Sequence, residues 1–231
     1  AGAQQPDRHV GARTGHGHDG LARLRRGQQA LQLLHVAGKV LLRLHPVAAQ
    51  AGQPIVAVPG AGTNVPIWLL GSSLFSAQLA AYLGLPYAFA SHFAPRMLHQ
   101  ALAIYRQTFK PSAALAKPYA IVGVPVIAAP TDAEAQFLAS STYQRVLDIL
   151  TGNRTRLQPP VEGFMEQVSE RERAAIADFL AVGIIGGPQT VRAGLQALAQ
   201  ATQADEFMLV SDVFDADLRL RSLQLTAQAM V

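Results

Sequence analysis

The sequence contains no cysteine among its 231 residues. That excludes a disulfide framework, a thiolate metal site and a cysteine nucleophile. Long apolar runs are missing as well. The stretch from Tyr119 to Ala128 is broken by Gly123 and Pro125 and falls short of the roughly 18 to 20 residues that a membrane span needs. No membrane helix is expected. The first residues lack a charged region followed by an apolar run and a small-residue cleavage site, so export is not expected and a cytoplasmic setting is. Half of the residues are apolar, enough for a chain of this length to bury a substantial core.

Acidic residues are scarce at one end only. Residues 1–50 hold seven Lys and Arg, two Asp and no Glu, a net charge of +5; residues 51–231 hold twelve Lys and Arg against thirteen Asp and Glu, a net charge of −1. The overall charge of +4 therefore belongs to the first fifty residues. The rest offers no phosphate-tracking basic stripe, and nucleic acid is not an expected partner. The basic segment also carries five of the seven histidines. Its stretches "GARTGHGHDG" and "LARLRRGQQA" have neither helix nor strand periodicity, so residues 1–50 read as an atypical, poorly ordered segment set apart from residues 51–231. His16 and His18 form a His-Gly-His pair without a third ligand at a persuasive spacing, and no metal site is expected. Residues 29–44, "QALQLLHVAGKVLLRL", suit a basic amphipathic helix that docks on a partner or membrane surface; the alternative is a helix packed loosely on its own domain or no stable structure.

After residue 50 short apolar runs alternate with helical patterns. Val65 to Leu70 reads as a buried strand, and Ser72 or Ser73 suits the N-cap of a helix over Leu74 to Leu83 that Gly84 stops. Tyr87 to Ala90 is a second strand, Pro95 suits the first turn of a helix reaching about Thr108, and Tyr119 to Ala128 is a third strand. Thr131 caps a long helix to about Leu150, with Asp132 and Glu134 where the helix dipole favours them. A loop over 151–161 leads to helical sequence as far as about Leu180. Val182 to Ile185 is a short strand, Gly186-Gly187-Pro188 turns into a helix from about Gln189 to Ala201, Glu206 to Val210 is a strand, and Asp215 opens the last helix. The alternation predicts an α/β protein with a parallel sheet. About five strands are too few to close an eight-stranded barrel.

One junction carries chemistry. Gly71, Ser72 and Ser73 lie between a strand end and a helix start, which offers free backbone amides, two hydroxyls and the positive end of a helix dipole. Ser76 lies about one turn on and can point at the same anion, while Gly71 lets the backbone approach without a Cβ in the way. The combination reads as a phosphate seat. Serine at an N-cap also commonly does no more than cap its helix.

The stretch "WLLGSSLFSAQLAAYLGLPYAFASHFAP", together with "GGPQTV" at 186–191 and "DEFMLVSDVFDADLRLRSLQL" at 205–225, resembles the bacterial luciferase-like flavin-dependent monooxygenases. The likeness runs from about residue 54 to the C-terminus, and residues 1–50 do not share it. The resemblance implies the C-terminal strand-helix units of a TIM (β/α)8 barrel. It implies reduced FMN, or a deazaflavin, and O2 acting on an organic substrate such as an aldehyde, with a flavin reductase as the source of electrons. It also implies that Gly71, Ser72, Ser73 and Ser76 hold the flavin phosphate. His92 then falls on the catalytic face as a candidate catalytic residue lining the flavin or substrate cavity; the alternative is a structural hydrogen bond that fixes the strand-end turn. Trp68 reads as core, and Arg219 and Arg221 as a solvated helix face.

The departure from that pattern carries its own expectations. Complete members hold further strand-helix units upstream of the Gly-Ser-Ser element, including flavin-ring contacts. A partial barrel leaves strand edges unpaired and is expected to be unstable alone or to assemble as a homo-oligomer. The composition of residues 1 to about 48 fits a shifted reading frame, since codons for "VGARTGHGHDGLARLRRG" can be chosen that hide a Gly-Arg-Ala-Pro-Gly-Thr element in the neighbouring frame. Three functions follow: a flavin monooxygenase, a degenerate flavin- or phosphate-binding paralogue without turnover, and an unrelated α/β protein that binds another phosphorylated ligand.

Overall fold

Serine, threonine and glycine set most of the element boundaries. In the computed structural model, which describes residues 66–153 and 155–230, the chain divides into two units between Val65 and Pro66. The basic segment, His16, His18, the 29–44 helix and the frame-shift reading all lie outside the described residues.

Strand β1 spans Leu69–Gly71, later than the sequence pattern places it, and helix α1 spans Leu74–Leu83. Ser73 is the N-cap of α1, and Gly84 ends it at φ 62°, a left-handed conformation in which glycine carries no Cβ penalty. Strand β2 is Tyr87–Phe89, followed by a 3-10 turn at Pro95–Met97 and helix α2 at Leu98–Thr108. Pro95 thus starts a tight turn, and the α-helix begins three residues later. The long strand β3 is Ala120–Ala128 and the long helix α3 is Asp132–Thr151, with the Thr131 hydroxyl accepting a 3.2 Å hydrogen bond from the Glu134 amide. The helical sequence after the loop breaks in two, α4 at Phe164–Gln167 and α5 at Glu170–Phe179, because a Ser169–Glu172 capping box opens a new helix. Strand β4 is Ile184–Gly186, α6 is Pro188–Thr202, β5 is Glu206–Val210 and α7 is Ala216–Ala229, capped by Asp215.

Among the described residues every strand pairing is parallel. β1 pairs with β2, with Leu69 opposite Tyr87, and β2 pairs with the start of β3, with Tyr87 opposite Ala120. β3 then serves two further strands: β5 along Ile121 to Pro125 and β4 along Val126 to Ala128. The sheet is open.

Alternation along β3 splits the core into two layers. Val122, Val124, Val126 and Ala128 pack with Tyr87, Phe89 and Leu102 among the buried residues of one cluster, and with Val191 and Leu195 of α6. Ile127 and Ala129 belong to the second cluster, with Leu138, Tyr143 and Val146 of α3 and Ile176 of α5. Fully burying side chains of this size contributes about 1.5–3 kcal/mol each, so β3 is the chief source of the sheet's stability. Trp68, expected in the core, is 37% exposed and instead stands edge-on to Tyr119 at 5.6 Å.

Parallel pairing brings the C-terminal ends of the strands to one edge. Ser72 and Ser73 follow β1, Ser91 and His92 follow β2, Thr131 and Asp132 follow β3, Gly187 follows β4, and Ser211 and Asp212 follow β5. Ligands of open parallel sheets bind at that edge.

Candidate functional site

Gly71, Ser73 and Ser76 are brought together by the first turn of α1. Ser73 Oγ accepts a 3.3 Å hydrogen bond from the Ser76 amide, and Ser76 Oγ accepts from the Ser73 amide at 3.4 Å, which closes a capping box. The Ser76 hydroxyl also donates to the Ser73 carbonyl at 2.7 Å and lies 2.9 Å from the Tyr87 hydroxyl, and the residue is buried. Ser76 therefore faces inward and braces the turn from below. A Cβ on Gly71 would collide with Ser76 Cβ and Oγ, so glycine is needed here to admit that serine. Ser73 is exposed and Ser72 half-buried. The first-turn amides of Leu74 and Phe75 have no acceptor within their own helix. Burial raises the pKa of Tyr87, against the opposing effect of its hydrogen bond to Ser76, and its phenol stays protonated.

His92 stands at the same edge, one strand over. The Ala90 amide donates to the Gly71 carbonyl at 2.9 Å, tying the end of β2 to the end of β1. The buried Ser91 hydroxyl donates to the Gly123 carbonyl and anchors the same turn to β3. The His92 ring then lies across Gly123, where an added Cβ would sit 2.8 Å from Nδ1. His92 Nδ1 is buried and finds no hydrogen-bond partner among the described residues. Burial lowers the pKa of His92, and the Asp212 charge partly opposes it, so the neutral imidazole is the resting form.

That ring is one wall of a cavity of about 160 Å³ lined also by Pro125, Thr142, Arg145, Val210 and Asp212. Arg145 pairs with Asp212 at 3.3 Å, and the Thr142 hydroxyl donates to the Asp212 carbonyl at 3.2 Å. The cavity is thus mostly apolar, with the His92 ring and the Arg145–Asp212 ion pair among its lining. A second cavity, of about 300 Å³, lies between α3 and residues 161–166, with Gln136, Ser140 and Tyr143 in its wall.

A second helix start at this edge, that of α6, is already filled. Asp132 Oδ1 accepts a 2.6 Å hydrogen bond from the Gly187 amide at the N-cap of α6, and that bond, with one to Thr190, holds the Asp132 carboxyl below the usual carboxylate range. Asp132 therefore serves the neighbouring crossover as well as the dipole of its own helix. Sequence reasoning missed this contact, along with Tyr87, Arg145 and Asp212. Gly123 was missed as well, although a glycine inside an apolar strand is a signal of close approach.

A sequence model of the family described as luciferase-like monooxygenase matches residues 11–205. The chain belongs to the luciferase-like monooxygenase family. It is 50% identical over 171 residues to the Bacillus subtilis protein YvbT, covering 74% of this chain and 51% of that one. It is 48% identical over 168 residues to the luciferase-like monooxygenase of Escherichia coli K12, covering 73% of this chain and 50% of that one. Among solved structures, apo-MsnO8 matches with a TM-score of 0.65 and 31% identity, over 86% of this chain and 59% of the other. The chain spans about half the length of the curated relatives it matches. Its open parallel sheet corresponds to part of the TIM barrel of luciferase-like monooxygenases. Among the described residues no helix is long and apolar enough to cross a membrane, and no group of three or more His, Asp or Glu can hold a metal ion.

Proposed function

We propose that this chain supplies the phosphate-holding and His92 side of a flavin-dependent monooxygenase that works in the cytoplasm on an organic substrate such as an aldehyde, with a separate reductase providing reduced flavin. The observation that carries the reading is the junction of β1 and α1. There a capped helix start, with exposed Ser73 and half-buried Ser72, sits beside the His92 turn at the C-terminal edge of a parallel sheet.

The donor set fits the phosphate end of FMN. The amides of the first turn and the Ser72 and Ser73 hydroxyls would hold the phosphate, and the helix dipole favours its charge. The buried Ser76, tied to Tyr87, would keep that turn in place without touching the anion. Reduced flavin, when bound, supplies the two electrons that let one atom of O2 enter the substrate while the other leaves as water. The neutral His92 ring lines the cavity and would accept a proton from, or donate one to, a substrate oxygen held there. Apolar walls at Pro125 and Val210 exclude water from that neighbourhood.

One observation favours a second reading, a flavin- or phosphate-binding paralogue without turnover: the chain spans about half the length of its curated relatives. Calorimetric titration of the purified chain with FMN, a deazaflavin cofactor and riboflavin tests the seat. FMN is expected to bind and riboflavin, which lacks the phosphate, to bind far more weakly; equal affinities remove the assignment. Aldehyde oxidation with reduced FMN and O2 separates the enzyme from the paralogue.

A further inference from the structure

The larger cavity beside α3 shares no residue with the one that His92 lines. On α3, Thr142, Arg145, Val146 and Ile149 line the His92 cavity, whereas Ala133, Gln136, Phe137 and Ser140 line the other. At 3.6 residues per turn the two sets lie on opposite sides of the helix.

A segment fastened at one end creates the space. The Val161 amide donates to Ser140 Oγ at 2.8 Å, and the Gln144 side-chain amide donates to the Pro159 carbonyl at 2.9 Å, so residues 159–161 lie along α3. Gly163, in the left-handed region at φ 61°, then turns the chain into α4. What remains between them is about 300 Å³, the lower end of the range that small-molecule pockets occupy.

The walls have one consistent chemistry. Phe137, Tyr143 and Phe164 supply three aromatic rings and Glu162 and Glu166 two carboxylates, and among the described residues no Lys, Arg or His lines the cavity. Two polar side chains are set deep in the wall, Tyr143 at 6% and Ser140 at 2% exposure. The Ser140 hydroxyl is occupied by the Phe137 carbonyl and the Val161 amide; the Tyr143 hydroxyl donates to Gln136 Oε1, and no described residue donates to its oxygen. Among the described residues neither Glu162 nor Glu166 has an ion-pair partner. Arg173 donates instead to the Met165 and Val168 carbonyls and is outside the lining. Asp132 and Glu134 in the first turn of α3 offset the positive end of that helix's dipole.

We propose that this cavity binds a small organic cation, a quaternary ammonium or a protonated amine. Aromatic faces attract such a cation through their ring quadrupoles, more strongly as water is excluded. The exposed Glu162 and Glu166 carboxylates supply the counter-charge from the solvent side. The site is independent of the flavin reading, since nothing in it favours a phosphate.

The test is an NMR titration of the full chain with choline and with its neutral carbon isostere, in which a tert-butyl group replaces the trimethylammonium group. Choline is expected to bind about tenfold more tightly than the isostere. It should move the amide signals of Gln136, Phe137 and Gly163 and leave those of Ser73 and His92 in place. Glu162→Gln with Glu166→Gln should remove most of the preference for choline, with circular dichroism unchanged because both positions are exposed. Phe137→Trp should keep choline binding, whereas Phe137→Leu, which fills space without a ring, should weaken it by about fivefold. Equal affinities for choline and the isostere overturn the proposal, because the cavity would then be only an apolar hole. So does choline binding that none of these substitutions changes, an absence of saturable choline binding, or shifts confined to Ser73 and His92.

Discussion

The hydroxyl of Ser76 lies 2.9 Å from that of Tyr87, joining the first turn of α1 to the middle of the core. The contact fixes a helix start whose other polar groups face the sheet edge. Tyr87→Phe removes one partner and leaves Ser76 its bond to the Ser73 carbonyl. The expected loss is about 1 kcal/mol of stability, the usual net worth of such a bond, read by urea denaturation. An unchanged midpoint would mean that the pair contributes nothing.

Ser73 caps the same helix, so Ser73→Ala is expected to cost about 1 kcal/mol of stability by itself. Combined with Ser72→Ala it should weaken FMN binding by about 1–3 kcal/mol, from hydrogen bonds lost to a charged group. Riboflavin affinity should stay as it was. Equal losses for the two ligands would show that the serines act through the fold rather than through the phosphate.

Burial lowers the pKa of His92 below its ordinary 6.5. The unfolded chain therefore takes up a proton before the folded one does. Stability is full above pH 6.5 and falls as the pH drops from there through the folded-state value. Asn in place of His92 should flatten this part of the profile, and Asp212→Asn, which removes the opposing charge, should steepen it. Thermal melts between pH 5 and pH 8 would show both, with two superimposable profiles counting against the assignment.

The Asp132 carboxylate has a depressed pKa because it accepts from Gly187 and Thr190. The stability it contributes is present above the ordinary value of 3.8 and is lost as the pH falls through the lower, folded value. Asp132→Ala should lower the melting temperature at neutral pH and leave a difference from the parent that narrows toward pH 3. A constant gap across that range would assign the effect to packing.

Gly123→Ala places a methyl 2.8 Å from His92 Nδ1 and must displace the ring. The imidazole NMR signals of His92 should shift while those of exposed His99 do not. If His92 stays where it was, β3 has yielded instead, and the amide signals of Gly123 and its neighbours will report it.

Much of this fold can be read from residues that act locally. Ser73, Gly84, Thr131 and Asp215 cap their helices as their types predict, and β5 spans Glu206 to Val210 as its apolar run does. Several of the misses share a cause, which is that a distant partner decided the outcome. Trp68 sits in an apolar run yet lies on the open side of the sheet. Asp132 reaches 55 residues along the chain to Gly187, and no local pattern announces that partner. At the candidate site the sequence delivers the Gly-Ser-Ser junction, while the inward turn of Ser76 depends on Tyr87, eleven residues away on another element.

β3 has three strand partners that emerge at very different moments of synthesis. β2 precedes it, whereas β5 lies about 80 residues further on, a delay on the order of 4–16 s at a ribosome adding about 5–20 residues per second. Throughout that interval one of the most apolar segments of the chain has half its hydrogen-bonding edge vacant. The nascent polypeptide is therefore at its most aggregation-prone before its last helix exists, and slower translation beyond residue 128 would lengthen that exposure.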